Sequence, residues 1–153
     1  MTVVATISLM LALTNVPSGQ VANGNHFYPG YCTWAAAQEA RGAWGVWLPW
    51  FGDAGDWPGA AAGAGWHVSD LPREQSIAAM PRGVQGSGSV GHVAWVLAVS
   101  PDGSRVTVRS MNWRGYGVIT VHELVVDGRI QFISPPLPDP ELPRPESPLL
   151  TAD

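Results

Sequence analysis

Two residues in this chain have the types and surroundings of a nucleophile and its base. Cys32 is the only cysteine among 153 residues, and it opens the run Cys32-Thr33-Trp34-Ala35-Ala36-Ala37-Gln38-Glu39-Ala40. That run is Ala-rich and has strong helix propensity. Well downstream, His92 stands at the mouth of an apolar run, Gly91-His92-Val93-Ala94-Trp95-Val96, that suits a strand. A helix N-terminus carries partial positive charge and favours thiolate over thiol. A histidine that meets it from a sheet can take the thiol proton and later return it to a leaving group. That pairing is how a thiol hydrolase is built. A lone cysteine also suits a buried core position, and from position alone both readings stand.

The elements that must position the pair can be read along the chain. The first helix is expected from Tyr31 or Cys32 to about Arg41, with Gly42 placed to stop it. Gly42 to Asp56 is irregular and aromatic, holding Trp44, Trp47, Trp50 and Phe51. Asp56-Trp57-Pro58 reads as an N-cap and first-turn proline, opening a short helix that Gly63 and Gly65 end. Strands are expected at Ser76 to Met80, His92 to Ser100, Arg105 to Asn112, Val118 to Val126 and Ile130 to Ile133. Val106, Val108 and Ser110 alternate with Arg105, Thr107 and Arg109, a period-two signal. Pro101-Asp102-Gly103-Ser104 has the chemistry of a hairpin turn. Helices first and an antiparallel meander afterwards give an α+β domain, its helices packed on a twisted antiparallel sheet.

Three segments are expected. Residues 1–22 hold the apolar stretch Val3 to Leu13, too short to span a bilayer and of a length that suits an export signal, although no Lys or Arg precedes it. Residues 23–134 form the domain. Residues 135–153 hold seven prolines and four acidic residues and read as a linker or tail. The net charge of −4 argues against a nucleic-acid binder, and no stable membrane insertion is expected. Arg105, Arg109 and Arg114 fall close enough in sequence to form a local basic patch. His26, His67 and His122 have no ligand-like spacing with Asp53 or Asp56, so neither a metal nor another cofactor is expected. A monomer is expected.

Four pieces in order resemble the CHAP family of cysteine- and histidine-dependent amidohydrolases and peptidases. They are Tyr28-Pro29-Gly30-Tyr31-Cys32-Thr33-Trp34, Gly52-Asp53-Ala54-Gly55-Asp56-Trp57, Gly91-His92-Val93-Ala94-Trp95-Val96, and Ser110-Met111-Asn112. The resemblance runs from about Phe27 to Ile133. It implies a papain-like fold and cleavage of an amide bond in bacterial cell-wall peptidoglycan, by an amidase or an endopeptidase, in a secreted, wall-associated or phage lysin protein. It makes Cys32 the nucleophile and His92 the general base and acid. The family usually has Glu-Met-Asn where this chain has Ser110-Met111-Asn112. Serine can hold a histidine tautomer by a hydrogen bond but cannot offset an imidazolium. Asn112, two residues on and so expected on the same strand face, can take the orienting role. Tyr31 replaces the usual Gln before the cysteine. Some phage members bind calcium just before the cysteine; Asn23, Asn25 and His26 offer no carboxylate there, so none is expected here.

Tyr31, Trp50 and Trp113 are the candidate substrate-binding residues, with Trp44 and Trp47 as further groove or rim positions. Trp34, Trp57 and Trp95 are expected in the core. The glycine loop Gln85 to Ser89 is expected to frame the groove beside His92. Two other functions fit the same residues: a weakened or non-catalytic wall-binding module, motivated by Ser110, and an intracellular amidase for small thiol-peptide conjugates.

Overall fold

A computed structural model describes residues 21–136. The apolar N-terminal stretch and nearly all of the proline-rich tail lie outside the described residues. Helix α1 spans Cys32–Trp44 and helix α2 Trp57–Gly63. Six strands follow: β1 His67–Ser69, β2 Ile77–Met80, β3 His92–Val99, β4 Arg105–Met111, β5 Ile119–Val125 and β6 Gln131–Ser134. They form one antiparallel sheet in the order β1-β6-β2-β3-β4-β5. The expected meander holds from β2 to β5. The last strand then crosses back and inserts between β1 and β2, and β1 itself was not foreseen. No helix among the described residues is long and apolar enough to cross a membrane.

Small residues set how closely α1 approaches the sheet. Cys32, Ala36, Ala37 and Ala40 are buried, spaced at one helix face. They pack with Ile77, Ala79, Val93, Trp95 and Ile133 of the sheet and with Leu48, Trp50, Trp57 and Trp66. Arg109 of β4 reaches Glu39 of α1, its Nε donating at 2.7 Å, and fastens the helix across the strands. The helix does not stop at Gly42. It runs one turn further, because Trp44 docks on Trp66 and Trp95 at 5.5 and 5.1 Å between ring centroids. Gly45, in the left-handed region at φ +74°, ends it by donating its N–H to the Arg41 carbonyl.

The second face of the sheet buries Ala78, Met80, Ala94, Val96, Val106, Val108, Leu124, Ile130 and Phe132, with Val84, Trp113 and Val126 packed on them. Side chains alternate along β3, so His92 shares this face with Ala94 and Val96, while Val93 and Trp95 point to the helices. A bulge at Leu97, where the β3–β4 register shifts between Val96 and Ala98, falls beyond the site.

Gly91 carries the close approach that presents His92. Its φ is +78°. A Cβ there would lie 2.5 Å from the Gly55 nitrogen and 2.7 Å from the Met80 carbonyl oxygen. The Gly55 N–H bonds the Val90 carbonyl at 2.9 Å, so this loop is pressed onto the start of β3. Gly91→Ala should therefore destabilise the fold by about 2–4 kcal/mol through strain and displaced backbone, read as a lower denaturation midpoint in urea.

Candidate active site

The start of α1 has no side-chain cap. Tyr31 occupies the N-cap position with extended backbone, and nothing in it satisfies the first-turn N–H groups. Those groups face the Cys32 thiol instead. The backbone N–H groups of Val93, Thr33 and Cys32 itself are directed at the sulfur. The Val93 contact is what joins the two halves of the site. Val93 follows His92 on β3, so the thiol sits against the peptide that presents the histidine.

Burial outweighs these donors. It pushes the Cys32 thiol above its usual range, while the three N–H groups pull it down by less. The helix end alone thus does not make Cys32 a thiolate, contrary to the simplest expectation from its position. His92 is likewise buried, and burial, reinforced by repulsion between its imidazole and that of His122, pushes it down to about 4. At neutral pH the pair rests as thiol and neutral imidazole. No hydrogen bond joins them among the described residues, which is common before substrate tightens a site.

The depressed His92 has a consequence for stability. Between its unfolded pKa near 6.5 and about 4, the unfolded chain binds the proton and the folded one does not. Stability should be full above pH 6.5, fall on the order of 3 kcal/mol as the pH drops to 4, then level off. Urea denaturation of the protein and a His92→Gln variant at pH 7 and pH 4.5 reads this. The variant should lose markedly less on acidification.

Above Cys32 lies a groove of about 930 Å³, whose walls include Tyr28, Tyr31, Phe51, Asp53, Val90 and Tyr116. Tyr31 is half exposed in it, edge-on to Tyr116 at 5.3 Å. The Tyr116 hydroxyl donates to the Pro29 carbonyl at 2.9 Å, and the Gly117 N–H to Gly30 at 3.0 Å. The loop after β4 and the loop before α1 are thereby tied across one end of the groove. Gly30, at φ +94°, leaves the space that the Tyr116 ring fills.

The expected site residues divide. Cys32, Tyr31 and His92 meet at or beside the groove, and Ser110 lies on the His92 face of the sheet. Asn112 does not take the strand position assigned to it. β4 ends at Met111, and Asn112 turns left-handed at φ +62°, its N–H bonding the Val118 carbonyl. Asparagine tolerates that conformation, and it breaks the alternation that would place Asn112 beside Ser110. Trp50 is no groove residue: it is 5 % exposed, edge-on to Trp57 and Trp66. Trp44 and Trp47 also lie outside the groove lining; the Arg41 guanidinium covers the Trp47 ring. Trp113 lies 4.9 Å from His92 and stacks on His122 at 4.4 Å, so one of its faces is occupied. The glycine loop does not frame the groove: none of Gln85 to Ser89 lines it, only the following Val90 does, and Gly86 backs onto Trp113. Arg105 and Arg109 pair with Glu123 and Glu39, so the basic patch does not form.

A cysteine at an uncapped helix start, a histidine at the head of the adjoining strand, and an α+β body around them define a papain-like domain. A crystal structure of an N-acetylmuramoyl-L-alanine amidase from Staphylococcus aureus shares this fold, with a TM-score of 0.64 at 24% identity over 70% of this chain and 31% of its own. The CHAP domain family matches residues 22–112, and the chain belongs to that family. Staphylococcal secretory antigen ssaA2 of Staphylococcus aureus is 35% identical over 103 residues, 67% of this chain and 35% of its own length. The chain thus spans about a third of the length of the curated relatives it matches.

Proposed function

We propose that this domain hydrolyses an amide bond of bacterial peptidoglycan through a thioester on Cys32, outside the cell or at the wall. The observation that carries this is the thiol at the groove, held under the Val93 N–H beside His92. Family membership supports the hydrolase reading, and the secretory name of the ssaA2 relative supports the location.

His92 Nε2 is enclosed, which leaves Nδ1 as the nitrogen to exchange a proton with Cys32. Because the pair rests neutral, the proton moves from sulfur to Nδ1 as sulfur attacks the carbonyl carbon. The Cys32 N–H, free of any cap, donates to the developing oxyanion. Nδ1–H then protonates the departing amine, and the C–N bond breaks. Water attacks the thioester, gives its proton to Nδ1, and the thiolate leaves and recovers that proton. Exposed Tyr28, Tyr31, Phe51 and Tyr116 give the substrate stacking surfaces.

Digestion of peptidoglycan of several cross-bridge chemistries, with mass spectrometry of the fragments, tests the reading and names the bond. New free amino groups with intact glycan strands are expected. Binding to walls without any release would favour the second reading, a wall-binding module, for which the uncharged Ser110 beside His92 is the specific observation.

A further inference from the structure

His122 on β5 is the feature of the site that the mechanism above leaves unused. Val108 pairs with His122 and Ser110 with Thr120. His122 therefore shares the face of Ser110, one diagonal step away, and the β3–β4 register puts His92 on that same face. Four buried side-chain atoms there have no hydrogen-bond partner: His92 Nε2, Ser110 Oγ, and both ring nitrogens of His122. Buried polar atoms are nearly always paired, and orphans grouped this way call for a joint explanation. Trp113 closes the group, tilted against His92 and stacked flat on His122.

We infer that His122 is a positioning residue for His92, acting through the Ser110 hydroxyl where the family usually places a carboxylate. Serine is both donor and acceptor, so one hydroxyl can link two imidazoles. His92 Nε2–H donates to Ser110 Oγ, and Ser110 O–H donates to an unprotonated nitrogen of His122. The link fixes the His92 proton on Nε2 and leaves the Nδ1 lone pair for Cys32. When His92 takes the thiol proton, the same link spreads the new charge, and the Trp113 ring adds cation–π attraction. These atoms are unpaired in the structure, and small side-chain adjustments close the link in the resting protein, before His92 charges.

The groups that set this balance are few. Cys32 of α1 lies beside the strand that presents His92. Burial, and then the Arg114 charge after β4, push His122 below the usual histidine range, and repulsion between the two imidazoles adds to what burial does to His92. Arg109 and Glu39 pair on the opposite face.

The inference rests on the proposed hydrolysis for its kinetic arm but not for its spectroscopic one. His122→Phe keeps the ring on Trp113 and removes the acceptor; Ser110→Ala removes the link. In the full chain each should lower kcat about tenfold with KM unchanged. The double variant should be no worse than either single, and His122→Gln should recover part of the rate. Nitrogen-15 NMR of the imidazoles should show the His92 proton on Nε2 in the parent and a mixed tautomer in both single variants. Additive losses with an unchanged His92 tautomer would overturn the inference. The tautomer change in a protein that cleaves no wall would leave the inference standing and sink the proposed hydrolysis instead.

Discussion

Ser110→Glu is expected to raise the rate of wall hydrolysis about tenfold or more and to move its acid limb upward. In the parent, His92 is buried opposite an uncharged hydroxyl, and burial, with repulsion between the two imidazoles as the second cause, pushes it down to about 4. Forming imidazolium there, which attack by Cys32 requires, is costly. A carboxylate within reach favours the charged form and raises the histidine pKa. Third members of such triads contribute up to about 10⁴ in rate, so a tenfold gain is a modest expectation for an ectopic carboxylate. Ser110 is 3% exposed, so the longer side chain must find room beside Trp113. Ser110→Asp, smaller, covers the case in which Glu lowers the melting temperature. The pH dependence of kcat/KM for both variants checks the argument. A rate gain with the acid limb moved upward supports the Cys–His mechanism. An unchanged profile in both folded variants would mean that His92 charge is not limiting.

Cys32→Ala should reduce turnover at least a thousandfold while leaving the fold intact. The chain has one cysteine, so no second thiol can substitute. Loss of a nucleophile leaves only groove binding and the oxyanion donor, which together give a small residual rate. The packing cost is small, because Ala36, Ala37 and Ala40 already line this face of α1 and the lost atom is a single sulfur. Steady-state release of amino groups, with a thermal melt as control, checks both halves. Activity retained in a folded Cys32→Ala protein would remove the cysteine from the mechanism.

Much of this arrangement was legible in the sequence, where local signals and tertiary packing agree. The Ala-rich run forms α1, the alternation of Val106, Val108 and Ser110 faces β4 inward, and Asp102 caps the 101–104 turn by accepting from the Ser104 N–H. Cys32 opens α1 and His92 opens β3, where the helix and strand patterns put them. The misreadings came where non-local packing decides. Gly42 signals a helix end, but docking of Trp44 outweighs the roughly 1 kcal/mol that a mid-helix glycine costs. Trp50 sits among loop residues in sequence yet fills the core between Trp57 and Trp66. Asn112 continues the β4 pattern on paper, but the bond to Val118 turns the chain before it. His122 had a readable signal, its alternation with Thr120 and Leu124 on the inward side of β5. Its link to Ser110 needed the β4–β5 register, which sequence alone does not supply.

Amide hydrolysis through the Cys32 sulfur makes activity depend on one atom. Because that thiol is unique, titrating the folded protein with iodoacetamide and following both the mass added and the residual wall hydrolysis tests it directly. Activity should fall in one-to-one proportion to alkylation and reach background when one equivalent is bound to Cys32. Fully alkylated protein that still releases amino groups from peptidoglycan at the original rate would contradict it.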